Sequence, residues 1–247
     1  MVATYKFLEL VNDCCNHPLF ERWLCNDCVK DPPHGLKLLL LGTLRYLGRG
    51  WTFDDIEEST CISQECHRHF FNVFIEYGST VLYDRHVSLP AKNCDVSTFE
   101  ELFNIAGYNG CIGSSDATHV GMLSCAVWAR INHLGHKLNI PSHTYNATVT
   151  HSRQILSTTT GHPATWNDKT IILYDDFIRG IHEGKLFADH EFTLLEYDAI
   201  GNIVEVKYQG VWVMVDNGYL KWSTTIPPMK NGVTFKCIRF SEWLESM

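Results

Sequence analysis

The chain has 247 residues, 45% of them hydrophobic and 19% charged, with a formal net charge of −8. This is the composition of one large or two modest packed domains, and it is too apolar for a disordered chain. Apolar runs such as Leu38–Leu41 and Val211–Val215 reach at most five residues, far short of the ~20 of a membrane-spanning helix, and the negative charge argues against nucleic-acid binding by bulk electrostatics alone.

The start, MVATYKFLELVND, sets an acid and polar residues where a signal peptide would be apolar, so neither secretion nor membrane insertion is expected. In a chain of this size without such a signal, the ten cysteines read as reduced thiols. Charge is uneven: residues 1–110 carry 9 basic and 15 acidic side chains, against 11 and 13 in residues 111–247.

Residues 1–35 are left as an unassigned N-terminal segment. After the Asp31-Pro32-Pro33 breaker, Leu36, Leu40, Leu44 and Leu47 recur at helical spacing until Gly48 and Gly50 stop the run. Thr52 is placed to cap a short helix over Phe53–Glu58, with acids in its first turn. Ser63 can cap a third helix, in which Cys66, Phe70, Val73, Phe74 and Tyr77 form one apolar stripe. Residues 36–110 are thus expected to be a helical, helix-turn-helix-like domain and linker. The third helix shows Glu65, His67, Arg68 and His69 on its other face, with only one fixed positive charge. It reads as a core-forming or partner-docking module before a DNA reader.

From about residue 110 the texture turns to strands. Cys111–Met122 reads as a strand broken by small residues, and His143–Thr150 and Gln154–Thr160 as a hairpin turning at Thr150–Arg153. A helix is expected over Trp166–Glu183, then two short strands over Phe192–Tyr197 and Ile203–Tyr208, then a buried-type strand over Val211–Val215. The pattern predicts a mixed sheet with helices, an α/β architecture over residues 111–247.

Asp116 follows one apolar strand and Asp216 ends another, both flanked by small residues that let a ligand approach. Two unpaired carboxylates facing each other repel, and a divalent cation removes that penalty. Oxygen ligands without thiolates favour Mg²⁺ or Mn²⁺, and two such ions ~3.5–4 Å apart can activate water and stabilise a leaving phosphodiester oxygen. Loop aspartates after strands are also ordinary caps and turn formers, so spacing alone leaves both readings open.

Four blocks narrow the choice. Gly113-Ser-Ser-Asp116-Ala-Thr-His119-Val resembles the "G-x-x-D-x-x-H-hydrophobic" block of PIF/Harbinger-type transposases. Tyr145-Asn146-Ala-Thr-Val is similar to their "Y-N-x-x-hydrophobic" strand. Arg153-Gln-Ile-Leu-Ser, with Gly161-His-Pro163 through Asp168, resembles their "r-I-l … G-x-P-G-S-x-x-D" block, with Ala164-Thr165 in place of Gly-Ser. Val215-Asp216-Asn-Gly218-Tyr219 is similar to their "D-x-G-Y" block. The helical segment at about 36–78 also fits the helix-turn-helix ahead of the family's core.

The resemblance implies a ribonuclease-H-like mixed sheet with flanking helices. It also implies a DDE-type nuclease that, when complete, hydrolyses DNA phosphodiesters with two Mg²⁺ or Mn²⁺ ions and then transfers the freed strand. Asp116 and Asp216 would be its catalytic, metal-binding carboxylates. Asp168 matches an additional acid, given a supporting role because a helix-start aspartate also caps. His119 would orient DNA or Asp116, or serve structure only. The family's third acid, a glutamate on a basic helix, has no match before Met247, although Glu242 and Glu245 lie in that region. An alternative therefore stands: a catalytically inactive, transposon-derived scaffold that binds DNA or protein. A Myb-like DNA-binding partner follows from the same resemblance, and a nuclear location from the DNA substrate, with the chain cytoplasmic until imported with a partner; the oligomeric state is left open.

Arg130, Lys137 and Arg153, among the histidines 133, 136, 143, 151 and 162, are candidate DNA contacts. Cys14, Cys15, Cys25, Cys28, His17 and His34 contain one C-x-x-C pair, weak evidence for zinc, and unliganded thiols are the preferred reading. Neither a phosphate-binding glycine loop nor a Gly-x-Ser-x-Gly elbow is present.

Overall fold

The structure, a computed structural model, describes residues 2–24, 35–87, 93–122, 124–229 and 234–246. Cys25, Cys28, His34 and the Asp31-Pro32-Pro33 breaker lie outside the described residues. The chain divides into two units, residues 1–85 and 86–247.

The first unit is helical: α1 (Val2–Cys15), a 3₁₀ turn (Pro18–Trp23), α2 (Leu36–Arg49), α3 (Phe53–Thr60) and α4 (Gln64–Tyr77). A π-helical turn over Gly78–Leu82 leads into α5 (Tyr83–His86). Gly50, at φ 66°, closes α2 in the left-handed conformation that costs glycine least. Thr52 and Asp55 then form a reciprocal capping box, Asp55 N–H donating to Thr52 Oγ1 at 3.1 Å and Thr52 N–H to Asp55 Oδ2 at 2.8 Å. Ser63 caps α4 through Cys66 N–H.

Leu39, Leu40, Ile62, Phe70, Phe74 and Tyr77 form the core, joined by Val11, Cys14 and Phe20. The N-terminal segment left unassigned by its pattern is therefore part of this unit. Pro18 interrupts its apolar spacing before any long period builds up. Burial pushes the Cys14 thiol up to about 12, which makes it inert. One surface expectation is corrected: His67 is buried, bonded through Nε2 to Thr60 Oγ1 at 2.8 Å and packed where only Gly42 leaves room. Glu65, Arg68 and His69 are exposed.

The second unit opens with α6 (Asn93–Ile105), then β1 (Cys111–Gly121), α7 (Arg130–His133), β2 (Ser142–Val149), β3 (Ile155–Thr158) and β4 (His162–Pro163). It continues with α8 (Asp168–Ile171), a 3₁₀ turn (Ile172–Tyr174), α9 (Asp176–His182), β5 (Glu191–Tyr197), β6 (Ile203–Gln209), β7 (Trp212–Val215), β8 (Thr225–Ile226) and α10 (Phe235–Ser246). The main sheet runs β3-β2-β1-β7-β8, with β4 also paired to β2. The β1–β2 and β2–β3 pairs are antiparallel, while β1–β7 and β7–β8 are parallel. It is a mixed α/β fold with helices on both faces.

Strand β7 shows why. Its Val213 and Val215 join Ile112, Leu156, Ile172, Phe177 and Ile178 on one face. Its Trp212 and Met214 join Phe103, Tyr108, Cys111 and Leu244 on the other. A strand covered on both sides has to be apolar throughout, which is the Trp212–Val215 pattern.

Three boundaries differ from expectation. Helix α6 belongs with the sheet, so the helical unit ends about 25 residues earlier than residue 110. Phe103 packs on Cys111 and Trp212, and buried Glu100 accepts Gly110 N–H at 2.6 Å while meeting His190 Nε2 at 2.7 Å. The helix expected over 166–183 breaks at Asp175, whose carboxylate caps α9 by accepting the N–H groups of Phe177 and Ile178. Strands β5 and β6 form a two-stranded sheet of their own.

Ile178, fully buried at the centre of the α9 face, should cost about 2–5 kcal/mol when replaced by alanine. Urea unfolding of Ile178→Ala checks this, and an unchanged midpoint would refute the packing described.

Candidate active site

The parallel register sets the geometry. Ser115 on β1 pairs with Val215 on β7, so Asp116 and Asp216 follow at the same level on adjacent strands. There β7 ends, while β1 continues paired only to β2. One oxygen of each carboxylate is held locally: Asp116 Oδ1 accepts Ala117 N–H at 2.8 Å, and Asp216 Oδ1 accepts Gly218 N–H at 2.6 Å.

Asp168 completes the group. Its capping alternative goes to its neighbour, because Asn167 Oδ1 accepts Thr170 N–H at 2.9 Å and α8 needs no second cap. A Cβ on Gly218 would collide with Asp168 Oδ2 and stand 2.9 Å from Asp216 Oδ1. Only glycine lets these two carboxylates come together over the backbone.

Beneath them lies a buried polar network. Asn146 on β2 donates through Nδ2 to Asp175 Oδ2 at 2.6 Å and to Ser115 Oγ at 3.0 Å, and its Oδ1 accepts Tyr219 O–H at 2.5 Å. Thr148 O–H donates to the same Ser115 Oγ at 3.1 Å. The network ties β1, β2, the start of α9 and the turn after β7 to one amide. Ser115 adjoins Asp116, and Tyr219 lies three residues after Asp216, so the network fixes the backbone that carries both. Asp175 was not among the residues singled out from sequence. Its signal is a doubled aspartate ahead of Phe177-Ile178, a cap hidden within an otherwise continuous helical period.

The electrostatics report proximity. Burial, then the negative charges of Asp216 and Asp116, hold the Asp168 carboxyl above its ordinary range, against opposing pulls from Lys137 and His119. Burial and Lys137 lower His119, against the pull of Asp168 and Asp116. Burial, then the charges of Asp168, Asp116, Asp216 and Asp175, raise the Tyr219 phenol far above its usual range, so it stays a donor to Asn146. Burial raises Asp175, and its bonds from Asn146, Ile178 and Phe177 draw it back.

Among the described residues, no three His, Cys, Asp or Glu side chains stand close enough to cage an ion alone. Mg²⁺ does not need such a cage, since it is held by one or two carboxylates together with water and substrate phosphates. A set of oxygen-only donors that repel one another at the mouth of a glycine-lined turn fits a hard divalent cation.

The other predicted residues divide. His119 shares a hydrogen bond with Thr144 Oγ1 at 3.0 Å, which fixes its ring beside the carboxylates. Arg130 and Lys137 lie in the β1–β2 connection, at the end of β1 beyond Asp116, and Lys137 acts electrostatically on Asp168 and His119. Arg153 sits in the β2–β3 turn, at the opposite end of the β1–β2 ladder from Arg130 and Lys137, and is not among the charges acting on Asp168. Glu242 is exposed on α10 and is not among the charges acting on Asp168.

Two substitutions test this arrangement. Asn146→Ala leaves Asp175 and Tyr219 buried without their partner, and urea unfolding should show a loss of about 1–3 kcal/mol. Asp168→Asn should raise Tm at pH 7.5 in EDTA by removing a repelled charge. Wild-type Asp168 binds its proton more tightly folded than unfolded, so its ionisation destabilises the fold as pH rises through the raised value. The advantage of Asp168→Asn should therefore shrink toward pH 4, near the ordinary aspartate range. Equal Tm values at pH 7.5 would show that the carboxylates are not coupled.

No protein-family model, curated protein or solved structure matches the chain.

Proposed function

We propose that the second unit is a metal-dependent nuclease of the DDE transposase type on a ribonuclease-H-like sheet, cleaving DNA phosphodiesters by hydrolysis. One observation carries this reading. Asp116 and Asp216 stand level on adjacent parallel strands at the centre of a mixed sheet, with Asp168 coupled to both. The strand order adds support: three antiparallel strands are extended on the β1 side by two parallel ones, and the carboxylates lie on the first strand and on its parallel neighbour.

Asp116, Asp216 and Asp168 would hold Mg²⁺ or Mn²⁺, which when bound supplies an activated water and charge neutralisation at the scissile phosphate. Asp168 is more than a supporting acid in this reading, because it meets Asp216 across Gly218 where a third carboxylate is wanted. His119, held by Thr144, is placed to orient the phosphate or an attacking water through its other ring nitrogen. The Asn146 network does no chemistry and keeps the carboxylate-bearing backbone from relaxing apart.

Strand transfer after cleavage, a nuclear location and a Myb-like DNA-binding partner belong to the same proposal. The helical unit carries 8 basic and 12 acidic side chains over residues 1–85, a balance suited to a basic protein partner rather than to a phosphate backbone.

Nicking of supercoiled plasmid in Mn²⁺ tests the reading. Asp116→Asn and Asp216→Asn should each reduce nicking to background while leaving DNA retention in a gel shift intact. Mn²⁺ should also raise the Tm of the wild type more than that of either variant. Wild-type protein that shows neither nicking nor a Mn²⁺-dependent Tm would overturn the assignment in favour of an inactive scaffold.

A further inference from the structure

The chain contains 28 aspartates and glutamates, yet none occurs from residue 117 to residue 167, between two of the proposed catalytic acids. That stretch of 51 residues holds three lysines and arginines and six of the 13 histidines. In a chain of net charge −8 this is a local inversion, and its position matters more than its size. It supplies β1 beyond Asp116, the β1–β2 connection, β2, β3, β4 and the approach to α8.

Within it, residues 126–137 present Val127, Trp128 and Ile131, which are 87%, 84% and 82% exposed. A tryptophan left this open on a short helical turn is unusual, because few side chains have more apolar surface to bury. The turn itself is well held. Ala129 is buried, and His133 bonds the Ser142 carbonyl at 3.3 Å and packs on His143. Thr165 donates from both N–H and O–H to the Asn132 carbonyl, and Gly135 lies against Ala164. The platform is therefore anchored to the turn that reaches Asp168 three residues later. Lys137, at its end, acts on Asp168 itself.

An exposed aromatic face, flanking cations, a stretch of chain with no acid of its own and a hydrogen-bonded link to the turn before Asp168 together describe a stacking platform for a polyanion's bases. Three fixed cations are too few to grip a duplex by charge. Stacking needs only an accessible π-face and an unpaired base, whatever the sequence. An apolar protein segment would be served by Val127, Trp128 and Ile131 but would not explain why residues 117–167 contain no acid.

We propose that residues 126–137 receive an unpaired nucleobase beside the carboxylates, with Trp128 stacking on the base and Arg130 and Lys137 neutralising the flanking phosphates. This deepens the nuclease reading and rests on it for the nature of the substrate.

The test uses the full chain in Ca²⁺ and a DNA duplex with a short 3′ overhang containing 2-aminopurine, compared with the same duplex blunt-ended. Wild-type protein should prefer the overhang and quench its fluorescence on binding. Trp128→Ala should weaken overhang binding roughly 5- to 150-fold while changing blunt-duplex binding little, and Trp128→Phe should recover most of the loss. Arg130→Ala and Lys137→Ala should weaken both DNAs and each reduce the salt slope by about one. Because Trp128 is exposed, a folding defect is not expected, and Trp128→Phe controls for one.

Overhang binding that is unaffected by Trp128→Ala, or 2-aminopurine that stays bright on binding, would overturn the proposal. So would a Trp128→Ala variant that keeps DNA binding but loses self-association or capture of a basic protein, which would mark a protein-docking face. Trp128-dependent binding with neither Mn²⁺ nicking nor a Mn²⁺-dependent Tm would uphold this inference and refute the hydrolase. Normal nicking with Trp128-independent binding would do the reverse.

Discussion

The side-chain amide of Asn146 offers two donors and an acceptor, and in the second unit all three are used by buried groups from three other parts of the chain. Asp175 takes one donor, Ser115 the other, and Tyr219 supplies the acceptor with a proton. An acceptor-only carboxylate on one side and a phenol donor on the other orient the amide without ambiguity. A fully satisfied buried network of this kind rigidifies its surroundings, while a half-satisfied one costs more than an apolar core. Loss of any member therefore reaches β1, β2, α9 and the turn after β7 at once.

That rigidity serves an arrangement the fold would otherwise relax. Three aspartates are brought together at the end of a central strand, and one of them is half-buried and held above its ordinary range. The apolar faces on either side of β7 provide the stability that keeps them there. Gly218 removes the one side chain that would hold Asp168 and Asp216 apart. The mutual repulsion of Asp168 with Asp216 and Asp116 adds to the cost of burying Asp168, and the surrounding packing holds the three in place against it.

Much of this was legible in the sequence because the strands have periods of their own. The reading over His143–Thr150, Phe192–Tyr197 and Val211–Val215 falls within a residue or so of β2, β5 and β7. Asp216 could be placed at a strand end, whereas Asp116, read as following its strand, lies within β1, and only the register sets the two at one level. What escaped was tertiary in origin. Asp175 interrupts a helical period that runs on through it, and only its partners on α9 and β2 reveal the break. His67 sits at a spacing that looks exposed, but Gly42 opens a space for it in the core. Helix α6 precedes the strands in sequence like a last member of the helical domain, while Glu100 and Phe103 commit it to the sheet. The role of Asn167 as the cap of α8, which releases Asp168 for other work, is equally invisible to spacing alone.

Net charge says little about any one surface of this chain, because residues 117–167 hold none of its 28 acids. A value of −8 argues against a polyanion partner only if charge is spread evenly, and here it is not. Potentials at a site depend on charges within about a Debye length, ~8–10 Å at ordinary salt. The carboxylates themselves are a local negative focus, which a phosphate could approach only with cations present. An acid-free surround lowers the remaining barrier without adding a cation at each position. The acids are not gathered in one unit, since residues 1–85 carry 12 and residues 86–247 carry 16; the depletion over residues 117–167 is a local feature of the second unit, set between Asp116 and Asp168.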